Sequence, residues 1–185
     1  MLGAEHFARM YSIFGDDFSK DLAYKATNFM IEHQMDNGAW PYSLNENGDA
    51  RMQIDFHQGF VICSLSEVIE HLKEVPKEWD QAQKQGVDFY KKEQFTEDGR
   101  SKWRWPKEWP TDIHHQAQGV ITFSRIGDVG FAEVIADWTI DNMQGTDGAF
   151  YYRVHRWGTD RTRYMRWGQA WMALALAELE KARSK

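Results

Sequence analysis

Gln34-Met35-Asp36-Asn37-Gly38-Ala39-Trp40-Pro41-Tyr42, led in by Phe29-Met30-Ile31-Glu32-His33, is the first of three related segments in the chain. The second is Phe89 to Gln94, then Asp98-Gly99, then Trp103-Arg104-Trp105. The third is Trp138 to Gln144, then Asp147-Gly148-Ala149-Phe150-Tyr151-Tyr152. Each copy is an aromatic residue, a glutamine five or six residues later, an acidic turn closed by glycine, and aromatics two apart. Self-similarity at this period identifies a repeat architecture, and the spacing of Gln34, Gln94 and Gln144 suits two helices and a long loop per unit.

Around these turns the hydrophobic period is that of a helix. Phe18, Leu22, Ala26, Phe29, Met30 and His33 fall on one stripe before the first turn, as do Trp79, Ala82, Gly86, Phe89 and Tyr90 before the second and Val129, Ala132, Ile135, Ala136 and Met143 before the third. These read as one-sided outer helices. The segments after the turns, Phe56 to Leu65 and Trp167 to Ala177, are apolar or small on nearly every face and read as inner helices buried all round. The pattern predicts an all-α fold, tandem helical hairpins forming a partial (α/α) toroid in a single domain over residues 1–185. Its seven helices lie near 17–34, 55–73, 77–94, 112–126, 129–144 and 165–183, with a short one before Gly15. Strand signals are confined to the turns.

Composition narrows the function. The 185 residues carry 22 Lys and Arg against 28 Asp and Glu, a formal charge of −6. With no Lys/Arg run longer than two, the acidic balance argues against nucleic acid, whose affinity rests on phosphate contacts. No apolar stretch suits a membrane span and the N-terminus lacks a signal-peptide layout, so the expectation is a cytoplasmic protein with no membrane partner. The single Cys63 gives no disulfide and no cysteine-rich zinc cluster. The 9 Trp, 7 Tyr and 11 Phe are abundant, and flat rings beside Asp, Asn and Arg suit a saccharide, whose C–H faces stack while its hydroxyls seek planar hydrogen-bonding groups.

Two inner helices begin alike, Asp55-Phe56-His57-Gln58-Gly59 and Asp112-Ile113-His114-His115-Gln116-Ala117. Each Asp reads first as an N-cap. His57 and His114, in the first turn, are biased toward the neutral imidazole by the helix dipole and so suit a base or a sugar hydrogen bond; a histidine bonded to the neighbouring loop is the alternative. Asp and His two apart project about 200° from each other on a helix, so the pairs suggest no metal, and no cofactor is expected. Arg166, near Tyr164 and Trp167 at the start of the last inner helix, opposes the macrodipole and calls for a partner: a buried acid, a loop carbonyl or an anionic substrate group. The ring pairs of Trp40, Trp103 and Phe150 read as plugs between hairpins. Arg104, Trp105, Trp109, Tyr151, Tyr152, His115 and Trp167 are the candidates for substrate contact.

The Gln-x3-Gly-x-Trp pattern of Gln34 to Trp40 resembles the repeat of terpenoid cyclases and other six-hairpin toroids. Asp112-Ile113-His114 with Ala117-Gln118, Trp138-Thr139-Ile140 with Asn142-Met143-Gln144, Phe150-Tyr151-Tyr152 and Tyr164-Met165-Arg166-Trp167-Gly168-Gln169-Ala170-Trp171-Met172 together resemble the VpsJ-type polysaccharide-biosynthesis family. The resemblance implies a six-hairpin, glycosidase-like toroid linked to polysaccharide biosynthesis or modification, and members longer than this chain. Three classes follow. A carbohydrate-active enzyme could be a hydrolase using Asp55 and Asp112, or a lyase or epimerase using His114 or Tyr164 as base and Arg166 to stabilise a uronate enolate. A non-catalytic glycan-binding or assembly protein would use the same aromatics. A terpene-cyclase-like enzyme ranks last, because Asp16-Asp17 with Asp21 reads as a helix cap. The expected partner is an oligosaccharide or polysaccharide. Length adds one more expectation: about three and a half hairpins leave a repeat array open, so two copies pair into a homodimer, or Phe7, Met10, Tyr11, Ile13 and Phe14 fold back to close a smaller ring.

Overall fold

A computed structural model describes residues 1–184. Among them are seven α-helices, with strands only in the connecting loops: α1 Leu2–Phe14, α2 Asp17–Glu32, α3 His57–Leu72, α4 Lys77–Gln94, α5 Ile113–Arg125, α6 Val129–Met143 and α7 Trp171–Arg183. The chain separates into two compact units, residues 1–90 and 91–185, and α4 carries it from one into the other.

In the first unit, α1 stops at Gly15, left-handed at φ 68°, and Asp16 caps α2 by accepting the amides of Phe18 and Ser19. This is the capping role expected for that acid pair. The core joins Ala4 and Ala8 of α1, Ala23 of α2, Leu65, Val68 and Leu72 of α3 and Trp79 of α4. Trp79 Nε1 donates to Asn28 Oδ1 at 2.8 Å. The stripe expected on α4 is buried, but the one expected on α2 is not: Phe18 is 68% and Phe29 52% exposed, while Ser19, Ala23 and Thr27 face inward. The face that α2 turns toward α1 is thus built of small side chains, and the larger rings lie outside it.

In the second unit α5 is the central helix, with every residue from Ile113 to Ser124 buried. Phe95, Phe123 and Phe131 pack edge to face beside it. Helix α6 is capped by Asp128, which also pairs with Lys91. Before α7 the backbone makes one wide π-helical turn, Met165–Ala170, in which the Tyr164 carbonyl accepts the amides of both Gly168 and Gln169. Helix α7 is not buried all round: only Met172, Ala175 and Leu179 are covered and Leu174 is 38% exposed. It packs on α5 and α6 along one side, which leaves its other apolar residues outside.

Backbone hydrogen bonds define the repeat register. The amides of Met35, Thr96 and Gly145 donate to the carbonyls of Ala39, Arg100 and Ala149, closing three equivalent turns on Gly38, Gly99 and Gly148. In this register the equivalent of Gln34 and Gln144 is Phe95, not Gln94, because the second copy has one extra residue before its turn. The equivalent of Trp40 and Phe150 is Ser101, not Trp103. A glutamine in the first turn of α3 and of α5, and in the π-helical turn before α7, then clamps the residue after the glycine turn. Gln58 accepts the Trp40 amide and donates to its carbonyl, both at 2.8 Å. Gln169 does the same to Phe150 at 2.9 and 2.7 Å. Gln116 accepts from Ser101 at 2.6 Å and donates to Gly99 O and Thr139 Oγ1. Gln34 and Gln144 hold the Gly38 and Gly148 carbonyls; where Phe95 has no amide to do so, Gln116 reaches that carbonyl instead.

Two of the three turns also dock on the following outer helix. A Cβ at Gly38 would lie 2.4 Å from the Gln85 carbonyl oxygen of α4, and one at Gly99 2.5 Å from the Val134 carbonyl oxygen of α6, whereas a Cβ at Gly148 meets nothing within 4 Å. All three glycines have φ between 82° and 90°. Gly148→Ala therefore meets only the left-handed penalty of ~1–2 kcal/mol. Gly99→Ala adds a backbone clash, for a total of ~2–5 kcal/mol. Urea unfolding of the two variants should separate them by at least ~1 kcal/mol; equal losses would show that the docked turn has no energetic weight.

Candidate functional site

Each unit contains one cluster of polar and aromatic side chains at the start of an inner helix. In the first unit, strands β1 (Ser43–Leu44) and β2 (Ala50–Arg51) form a short antiparallel hairpin that ends just before α3. Asp55 is buried, and its Oδ1 accepts the His57 amide at 3.2 Å and the His57 Nδ1 at 2.5 Å. Gln53 Nε2 donates to its other oxygen at 2.9 Å, and Arg51 in turn holds Gln53 Oε1. The His57 ring stacks on Phe56 and meets Tyr42 edge-on, and Arg51 lies over the Tyr42 ring. The expected N-cap is displaced: the cap position of α3 is Phe56, with no side-chain cap, and Asp55 one residue earlier accepts the His57 amide while its carboxylate orients the imidazole. With Nδ1–H directed at Asp55, the lone pair of the neutral ring falls on Nε2, and the side chain is 35% exposed. Burial pushes the Asp55 carboxyl up, but the His57 ring, the His57 amide and the Gln53 amide outweigh it and hold the group below the usual aspartate range.

In the second unit, β3 (Thr111–Asp112), β4 (Arg153–His155) and β5 (Gly158–Asp160) make an antiparallel sheet in that order, with Asp112 opposite Arg153. This register brings the loop before α5 against the loop before α7. Asp112 Oδ1 caps α5 through the His114 amide at 2.9 Å, and Oδ2 accepts Arg153 Nε at 2.7 Å. The Arg153 guanidinium also lies over the Tyr152 ring at 4.1 Å and the Trp103 ring at 4.5 Å, while Arg104 covers Trp103 at 4.9 Å. Tyr152 meets Tyr164 edge-on at 4.8 Å. Burial, then the nearby Asp112 charge, raise the Tyr152 hydroxyl above its ordinary value against the opposing pull of Arg153. The His114 ring packs between Trp167 and Trp171 at 5.5 and 5.4 Å.

Of the residues singled out from sequence, Asp112, His114, Tyr152, Tyr164, Trp167, Arg166 and Arg104 join one chain of contacts in this unit. The hub of that chain is Arg153, a loop residue not among the site candidates drawn from the sequence. Its position was not legible because it depends on the β3–β4 register. Trp105 and Trp109 are held elsewhere: Trp105 Nε1 reaches Glu93, and Trp109 stacks on Arg100. His115 is 1% exposed and edge-on to Phe95, a core position with no surface for a sugar. The glutamine clamp also corrects the pairing of the histidines. Counted from Gln58 and Gln116, His57 is equivalent to His115 and Phe56 to His114, so Asp55 and Asp112 begin their helices one residue out of step. Arg166 reaches no acid among the described residues and lies over Trp167 at 4.6 Å.

No protein family matches the chain, and no curated protein does. Solved structures match nearly all of it. Cellobiose 2-epimerase from Bacillus thermoamylovorans aligns with a TM-score of 0.78 at 14% identity, over 98% of this chain and 51% of that one. The unsaturated glucuronyl hydrolase of Bacillus sp. GL1 aligns with 0.73 at 14% identity, over 95% and 52%. A family 105 glycoside hydrolase from C. acetobutylicum aligns with 0.67 at 13% identity, over 98% and 52%. The fold class is therefore that of the all-α, helical-hairpin toroid enzymes, and the chain spans about half the length of the structures it resembles. No helix among the described residues is long and apolar enough to cross a membrane.

The depressed Asp55 carboxyl makes a pH prediction. A carboxylate whose folded pKa lies below its unfolded value of ~3.9 adds stability that is complete above that value and is lost as pH falls through the folded pKa. Asp55→Asn should lower the urea midpoint at pH 6 and flatten its decline below pH 4. A variant whose acid limb parallels that of the parent chain would show that Asp55 does not carry this dependence.

Proposed function

We propose that the protein is a carbohydrate-active protein of polysaccharide biosynthesis or modification, the setting implied by the VpsJ-type resemblance. In this reading it binds its oligosaccharide or polysaccharide at the loops that precede the inner helices. The observation that carries the reading is the Asp55–His57 pair: a buried carboxylate fixes Nδ1 of a partly exposed imidazole that meets Tyr42 edge-on. This is the arrangement of an oriented general base, with the carboxylate stabilising the imidazolium that forms. In the second unit Tyr152, Tyr164, Trp103 and Trp167 offer ring faces, Arg153 and Arg104 offer donors, and His114 and Tyr164 are the groups able to move a proton. Asp112 spends both oxygens on the α5 cap and Arg153. A paired-carboxylate hydrolysis through Asp112 therefore has less support than proton transfer at carbon or oxygen, as in an epimerase or lyase. The similarity to enzymes whose names specify epimerisation of cellobiose and hydrolysis of unsaturated glucuronyl groups supports a sugar ligand.

The test is a panel of neutral and acidic oligosaccharides, read by thermal shift, by new reducing ends and by solvent-deuterium uptake into the sugar. His57→Ala should abolish turnover or exchange while moving the melting temperature by no more than a few degrees, and His114→Ala should weaken binding. Binding without turnover or exchange selects the non-catalytic, glycan-binding reading. No shift with any sugar rejects both.

Self-association is part of the same proposal. Trp167 and Leu174, beside and on α7, and separately Ile13 and Phe14 on α1, are exposed apolar residues that a second copy could cover. Sedimentation at micromolar concentration should give a dimer that Leu174→Asp dissociates with helicity intact; a 21.7 kDa species rejects pairing.

A further inference from the structure

The segment from Tyr151 to Trp167 has a charge pattern unlike the rest of this acidic chain. It carries Arg153, Arg156, Arg161, Arg163 and Arg166 against one acid, Asp160, in a protein of net charge −6. Two of the arginines are engaged by carboxylates, Arg153 by Asp112 at 2.7 Å and Arg163 by both oxygens of Asp147 at 2.6 and 3.1 Å. The other three are exposed and pair with no carboxylate among the described residues. Each lies instead over an aromatic ring: Arg156 over Trp157 at 5.1 Å, Arg161 over Tyr151 at 5.6 Å and Arg166 over Trp167 at 4.6 Å. Trp157, on the turn of the β4–β5 hairpin, is 88% exposed, and Trp167 is 47% exposed.

A guanidinium lying over a ring keeps its donors available in its own plane, so its edge can take a carboxylate through two parallel hydrogen bonds. The ring that positions it leaves apolar face and edge for the C–H surface of a pyranose. Three such pairs on one loop therefore repeat a unit that reads a sugar and an acid together. Beside them Tyr152, Tyr164 and Arg153 link the loop directly to the start of α5.

We infer that the ligand is an acidic glycan, a polymer with a carboxylate on its sugar rings, gripped along the Tyr151–Trp167 loop by the Arg156–Trp157, Arg161–Tyr151 and Arg166–Trp167 pairs. This rests on the carbohydrate reading above and names its substrate class. A double-stranded nucleic acid fits less well: it carries one charge per ~1.7 Å of helix axis, and the acidic remainder of this chain repels so dense a charge. A single strand and a polyuronate each carry one charge per monomer, and the binding test below separates them.

The test measures binding of the full chain to four ligands by tryptophan fluorescence and calorimetry: an oligogalacturonate hexamer, a neutral glucan hexamer, a sulfated heparin hexamer and an oligodeoxythymidine. The uronate hexamer should bind about tenfold or more tighter than the neutral one and tighter than the sulfated one and the oligodeoxythymidine. The double substitution Arg156→Gln, Arg161→Gln should remove about tenfold of uronate affinity, leave the neutral hexamer within about twofold, and keep the parent melting temperature. Trp157→Ala should weaken the uronate hexamer further. Equal binding of the neutral and uronate hexamers, or an unchanged double variant, overturns this inference alone and leaves the carbohydrate reading in place. Binding of sulfated or nucleic-acid ligands as tight as that of the uronate reduces the loop to a general polyanion surface and also overturns it. Failure of every sugar overturns both.

Discussion

A primary amide can donate and accept at once, and the architecture of this chain depends on that property at three places. Gln58 and Gln116 sit in the first turn of an inner helix and Gln169 in the π-helical turn that leads into one, and each holds the backbone just past a glycine turn. The clamp ties the end of the outer-helix turn to the start of the inner helix across a long loop, whatever that loop contains. Since unmade buried hydrogen bonds cost more than made ones contribute, loop length and composition are free to vary while the clamp is not. The loops are consequently where the aromatics, arginines and short sheets accumulate. The π-helical turn before α7 keeps Gln169 on Phe150 despite a different local path.

At the loop side of the clamp, the two units use aspartate differently. Asp55, just before the Phe56 cap position of α3, accepts the His57 amide and orients a partly exposed imidazole through the same oxygen. Asp112 caps α5 with one oxygen and fixes Arg153 with the other. The first arrangement favours proton transfer. The second locks a cation between two rings, in a place where it can orient other groups. One sequence pattern, Asp-x-His, thus leads to two electrostatic outcomes, decided by what the next loop brings opposite the carboxylate.

The helices were legible because their apolar periods are strong, and α4 and α6 bury the faces their patterns indicate. The face of α2 was not, because its buried side is built of Ser19, Ala23 and Thr27, small residues that a hydrophobic stripe does not reveal. The repeat was visible as glutamine, glycine and aromatic, but its register slipped by one in the second copy, where Phe95 stands in the glutamine position and Gln94 lies beside it. Matching the copies on glutamine hides this, whereas counting four residues back from Gly38, Gly99 and Gly148 gives Gln34, Phe95 and Gln144, the register that the turn hydrogen bonds make. Within the site, the caps and the aromatic loops could be read from residue type, whereas Arg153 owes its role to pairing between strands 41 residues apart, and His115 looked available only because burial is a tertiary property.

The docking of Gly38 on α4 and of Gly99 on α6 gives the array a direction. Each of these turns is completed by the helix that follows its own hairpin in the sequence, never by one that precedes it. During synthesis, then, a newly emerged hairpin is left with an unseated turn until the ribosome has delivered the next outer helix. Seating the turn joins residues well apart in sequence, Gly38 with Gln85 and Gly99 with Val134, so it carries the loop-closure cost of a non-local contact. In each unit the hairpin is therefore sealed from its C-terminal side, by chain that is made after it.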